Sequence, residues 1–166
     1  MIDPYTEAMI KRFESCKLVP YKDIAGNWTI GWGRKISETQ AKQYFHGITQ
    51  SMADGWFFND LFSALTKVKP LLDKPVADNK LGSLVSLEFN TGALTHSSHI
   101  IKYVNQGLIN EAAAAFLDWD HAKVNGKMEE VSGLLRRRKI ERDHFLNGPK
   151  PGDNINSYIS RLFQIK

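Results

Sequence analysis

The sequence of 166 residues contains a single cysteine, Cys16. No intramolecular disulfide can form, and a cysteine zinc cluster is excluded. Long apolar runs are also missing. The longest covers residues 112–117, far short of the roughly 20 residues that cross a bilayer as a helix. Residues 1–13 hold Asp3, Glu7, Lys11 and Arg12 and no apolar core of the signal-peptide kind. That start leads to the expectation of a chain made in the cytoplasm. No low-complexity segment and no repeat period is visible.

What is present points to one globular domain. Hydrophobic residues make up 42% and charged residues 24%, an ordinary soluble balance with enough length for a core. Nine Phe, five Tyr and four Trp argue against disorder. Charge is segregated. Residues 1–120 carry 12 Lys and Arg against 13 Asp and Glu, while residues 121–166 carry 10 against 5. The basic surplus therefore belongs to the C-terminal part and favours an anionic partner without naming one.

Asp3 followed by Pro4 reads as a helix start. Met9, Phe13 and Cys16, with Ile10, form its apolar face, and Glu14 lies off that stripe near the helix end. Pro20 closes the helical reading, and residues 23–27 are a turn signal. Residues 28–33 alternate with period 2. Trp28, Ile30 and Trp32 share one face; Thr29, Gly31 and Gly33 share a nearly bare one, which leaves room for close approach to the backbone. Helices are expected over 49–69, 81–91, 95–106, 110–119, 132–145 and 155–163, with Ser132 as a cap. One hairpin followed only by helices implies an α+β fold. Its expected parts are a small N-terminal lobe of about residues 1–48, a linking helix of about 49–69 and a helical C-terminal lobe of about 70–166. A cleft between such lobes suits a polymer.

Glu14 at a helix end, Asp23 on a turn and Thr29 on a strand can meet on one cleft wall. Two carboxylates with a hydroxyl suit glycosidic cleavage: one donates a proton to the leaving oxygen, and the other supports the oxocarbenium-like centre or a water. Their environments must then differ. Burial among Phe13, Tyr21 and Trp28 would favour a protonated Glu14, whereas an exposed turn suits an ionised Asp23. Solvated surface carboxylates fit the same residues, so the chemistry alone reads only as a possible glycosidase.

Residues 12–33, RFESCKLVPYKDIAGNWTIGWG, closely resemble the signature of bacteriophage endolysins of the lysozyme type, glycoside hydrolase family 24. The family pattern is a Glu, an Asp nine residues on, a Thr six beyond it and a Gly-aromatic-Gly; Glu14, Asp23 and Thr29 have that spacing. Two collinear blocks are also similar, SLVSLEFNTGALTHSS at 83–98 and GLLRRRKIERDHF at 133–145. The resemblance implies a lysozyme-like fold and a monomeric muramidase that needs no metal or organic cofactor. It would cut the β-1,4 bond between N-acetylmuramic acid and N-acetylglucosamine in peptidoglycan. Glu14 would be the general acid, with Asp23 and Thr29 managing water attack. Phe89, Asn90 and Ser97 would line the sugar cleft, and Arg137 would approach Glu14. Release to the wall from the cytoplasm of an infected bacterium would need a separate holin-type membrane protein. Many relatives have Gly where Ser15 stands, and His where Arg34 stands.

Weaker signals have plain readings. Arg136, Arg138, Lys139 and Arg142 read as a solvated helix face, with no pattern for specific nucleic-acid reading. His96 and His99 share a helix spacing but lack acidic or Cys partners for a metal. Cys16 reads as a buried structural thiol. Rival functions are a lytic transglycosylase on the same bond, which Asp23 and Thr29 argue against, and a non-catalytic cell-wall or nucleic-acid binding protein on a lysozyme frame.

Overall fold

The protein is described by a computed structural model covering residues 2–23, 26–124 and 127–164, without the side chains of 122–130. Helix α1 (Pro4–Glu14) begins as expected: an Asp3 carboxylate oxygen accepts from the backbone N–H of Tyr5 and of Thr6, each at 3.0 Å. It ends sooner than the apolar stripe suggested. Ser15 turns at φ 54, so Cys16 lies outside the helix. The segment before Pro20 is strand β1 (Lys17–Lys22), not helix. Proline fits there because β1 is an edge strand, and its ladder with the next strand is irregular between Lys17 and Tyr21. Strands β2 (Trp28–Gly31) and β3 (Arg34–Lys35) complete an antiparallel sheet in the order β1-β2-β3. Thr29 pairs with Tyr21 on one side and with Lys35 on the other. The expected alternation through residue 33 stops early, because Gly31 and Gly33 take φ values of 63 and 82. Ile24 and Ala25 of the expected turn lie outside the described residues.

Helix α2 (Glu38–Gln43) had no counterpart in the sequence reading; Ser37 and Gln40 close it with a reciprocal capping box. The long helix α3 (Gln50–Val68) starts at Thr49, which accepts from Met52, and gives way to a 3-10 turn containing Pro70. Next come α4 (Asp78–Thr91), α5 (His99–Gln106) and α6 (Ile109–Ala114). The expectation of helices alone beyond this point is corrected by an antiparallel hairpin, β4 (His121–Val124) with β5 (Lys127–Glu130). Helix α7 (Ser132–Asn147) has Val131, not Ser132, at its cap position, and α8 (Ile155–Leu162) is capped by Asn154.

The main core joins α3 to α7 through Phe57, Leu61, Leu84, Leu87, Ile100, Phe116 and Phe145. Each such buried side chain contributes about 1.5–3 kcal/mol. A smaller core behind the sheet contains Ile30, Ile48 and Ala53. A third, of Met9, Ile140, Tyr158 and Leu162, packs α1 against α7 and α8. Tyr5 lies edge-on to Tyr158 at 5.3 Å, and its hydroxyl donates to the Asp153 carbonyl at 2.7 Å. A polar seam crosses this third core. Thr6 donates to Asp3 at 2.6 Å, so its oxygen accepts from His144 Nε2 at 3.0 Å. His144 Nδ1 is then the acceptor for the Tyr158 hydroxyl. Thr6 sits tightly on α4: a Cβ at Gly82 would lie 1.9 Å from its hydroxyl.

Burial holds His144 neutral, with its pKa lowered to about 4 despite the nearby charges of Asp3, Asp143 and Glu141. Between the ordinary value and about 4, the unfolded chain binds a proton that the folded chain excludes. Acidification through that window therefore destabilises the fold, by up to about 3 kcal/mol from this group. Urea midpoints should fall between pH 7 and pH 4. His144→Asn should lower the midpoint at pH 7 and flatten part of that slope.

Candidate active site

A cleft of about 560 Å³ is lined by Glu14, Tyr21, Asp23, Thr29 and Gly33 on the sheet side and by Glu88, Phe89 and Asn90 from α4. Asp60 and Lys67 of α3 border it. The end of α1, the β1–β2 turn and strand β2 thus bring the three expected catalytic positions to one wall.

Glu14 is held at one carboxylate oxygen and crowded at the other. Arg137 Nη1 donates to Oε1 at 2.6 Å. Gly33 borders Oε2 so closely that a Cβ would lie 2.4 Å from it. The bare glycine face therefore makes room for the protein's own carboxylate. Asp23 follows β1 in an Asx turn: Oδ1 accepts from the Asn27 backbone at 2.8 Å and Oδ2 from the Asn27 amide at 3.2 Å. Thr29 is 3% exposed and donates to the Asn27 carbonyl at 3.2 Å. Burial, and then the charges of Glu14 and Asp23, push the Tyr21 hydroxyl up. One tyrosine therefore faces both carboxylates.

The expected aromatic enclosure of Glu14 is not what forms. Trp28 lies by Lys22, Ala41 and Phe45, and Phe13 lies under the Arg137 guanidinium at 4.6 Å. What surrounds Glu14 is ionic. Arg137 Nε donates to Glu141 Oε1 at 3.0 Å, and Glu141 is fully buried. Burial disfavours the charge on Arg137, but Glu14 and Glu141 overcome this and hold its pKa above the ordinary value.

Phe89 and Asn90 line the cleft, and Asn90 Oδ1 accepts from Arg138. Ser97 does not line it: it sits in the exposed turn before α5, 2.8 Å from the Thr95 hydroxyl. The basic run of α7 is not one solvated face, because Arg137 is 7% and Arg138 0% exposed. Their pairing with Glu141 four and three residues on was legible as helix spacing, and its partner role was missed. Also missed were Asp60, paired with Arg34 at 3.2 Å, and Glu88, which is 3% exposed and paired with Lys67 at 3.4 Å.

His96 precedes α5 rather than sharing it with His99, and no group of metal-binding side chains occurs among the described residues. Cys16 is half-buried rather than enclosed; burial raises its thiol, which accepts from Gln50 at 3.7 Å. No helix among the described residues is long and apolar enough to cross a membrane.

The phage lysozyme family model matches residues 11–141. An endolysin of Acyrthosiphon pisum secondary endosymbiont phage 1 is 33% identical over 138 residues, which are 82% of this chain and 92% of that protein. The solved structure of an endolysin from Escherichia coli O157:H7 phage FAHEc1 superposes with a TM-score of 0.80 at 29% identity, covering 91% of this chain and 96% of its own. The muramidase domain of SpmX from Asticaccaulis excentricus does so at 0.75 and 30% identity, over 89% and 98%.

Two substitutions bracket the glutamate. Gly33→Ala forces a methyl group into Oε2 at φ 82. It should cost about 1–3 kcal/mol of stability and displace the carboxylate, measured by urea unfolding and by the shift of the Glu14 carboxyl carbon signal. Ser15, at φ 54, occupies backbone that favours glycine. Ser15→Gly should stabilise the fold by about 1 kcal/mol; a lower urea midpoint would contradict the strain.

Proposed function

The chain belongs to the phage lysozyme family, and we propose that it is a peptidoglycan-hydrolysing endolysin, a muramidase that cuts between N-acetylmuramic acid and N-acetylglucosamine. The observation that carries this reading is the shared cleft wall: Glu14, Asp23 and Thr29 all open onto one polymer-sized groove. Arg137 occupies Glu14 Oε1, so Oε2 is the oxygen left to carry the proton to the leaving glycosidic oxygen. The Asp23 carboxylate faces the same space, where negative charge stabilises an oxocarbenium-like centre. The Thr29 hydroxyl, held beside it by the turn, orients the attacking water. Phe89 offers an apolar face to a sugar ring and Asn90 an amide to its polar substituents. No step requires a metal or an organic cofactor.

The same reading places synthesis in the cytoplasm of an infected bacterium and action in the wall. Passage between them is assigned to a separate holin-type membrane protein, and the working unit is a monomer.

Digestion of purified peptidoglycan, followed by reducing-end assay and fragment masses, tests the assignment. Wild type should release new reducing ends on N-acetylmuramic acid, and Glu14→Gln should lose at least about 100-fold of that activity while staying folded. Fragments ending in anhydro sugars would instead identify a lytic transglycosylase. Wall binding without cleavage would identify a binding protein.

A further inference from the structure

The cleft accounts for Glu14 and Asn90 but not for the buried carboxylate behind them. Glu141 is fully buried and is not part of the cleft lining. Its Oε1 accepts from the Ser86 hydroxyl at 2.6 Å and from Arg137 Nε at 3.0 Å. Its Oε2 pairs with Arg138 Nη1 at 2.7 Å. The two arginines then point to different walls. Arg137 presents Nη1 to Glu14 at 2.6 Å, and Arg138 presents Nη2 to Asn90. Burying two guanidinium groups without a carboxylate between them would cost several kcal/mol.

We propose that Glu141 is a positioning residue for the reaction assigned above, fixing Arg137 against Glu14 and Arg138 against Asn90, so that one buried carboxylate holds a group on each wall of the cleft. The proposal rests on Glu14 being the acid. Groups facing Glu14 are Arg137 and, further off, Arg138 from α7, together with Tyr21 from β1; Asp23, beyond β1, faces the same Tyr21. Facing Glu141 are Arg137, Arg138 and His144 on its own helix and the neutral Ser86 of α4. Four charged groups, two of each sign, therefore balance. Removing the charge of Glu141 leaves a surplus of positive charge facing Glu14, which favours the ionised form. A carboxylic acid that must donate a proton is then lost at lower pH.

Glu141→Gln tests this in the full chain. The alkaline limb of the pH profile for peptidoglycan cleavage should move down by about one unit. The NMR titration of the Glu14 carboxyl, assigned with Glu14→Gln, should move with it. The titration is read without substrate, so it stands even if wild type proves inactive on peptidoglycan, an outcome that would sink the function but not the positioning. Glu141→Asp keeps the charge and shortens the reach: kcat should fall several-fold with the pH limb in place. A folded Glu141→Gln protein with both the titration and the pH limb unmoved overturns the proposal. If Glu141→Gln does not fold, Glu141→Asp decides, and an unchanged kcat in that variant overturns the proposal too.

Discussion

Glu14 and Arg137 stand 123 positions apart in the chain and 2.6 Å apart in the fold. Nothing local brings them together. Helix α1 must end at Glu14, α4 must pack against both α1 and α7, and α7 must turn Arg137 inward. Burying an ion pair is expensive unless each remaining donor and acceptor finds a partner. Here Arg137 Nε donates to Glu141 and Nη2 to the Ser86 carbonyl, while Glu141 Oε2 and Arg138 Nε and Nη1 make no hydrogen bond. The glutamate is therefore set by the packing of three helices, and a change that loosens any of them is felt at its carboxylate.

The sheet side follows a different logic. Its three short strands bury little, yet they deliver Asp23, Thr29 and Gly33 with fine placement. The turn does this with hydrogen bonds rather than apolar area. Asn27 binds Asp23 through its N–H, its amide and its carbonyl, and that same carbonyl accepts from Thr29. One asparagine aligns the carboxylate of the turn with the hydroxyl of the strand that follows it.

Much of this was legible in the sequence. The Asp3-Pro4 start, the long helix after Thr49 and the meeting of Glu14 with Asp23 and Thr29 all follow from capping, periodicity and the resemblance of residues 12–33. What was not legible has physical reasons. Proline at position 20 reads as a break, because nothing local announces an edge strand. The hairpin at 121–130 is a different case: Asn125-Gly126, preceded by the alternating Ala122 and Val124, is a hairpin signal in the sequence that went unread. The arginine run reads as surface, because burial of Arg138 depends on a carboxylate whose own burial depends on α4. Ser97 was placed in the cleft by likeness alone, and the turn at 95–98 faces it outward. The excess positive charge of the C-terminal part is correspondingly smaller at the surface than in the sequence, since two of its arginines are neutralised inside.

The packing of α1 beneath α8 carries a further meaning. Tyr5 and its acceptor Asp153 are 148 residues apart, so a ribosome exposes the first helix long before the α7 and α8 part of its packing surface exists. Until α7 and α8 emerge, the nascent chain holds its glutamate without the arginine that orients it. The Glu14–Arg137 pair therefore cannot close until α7 has been translated.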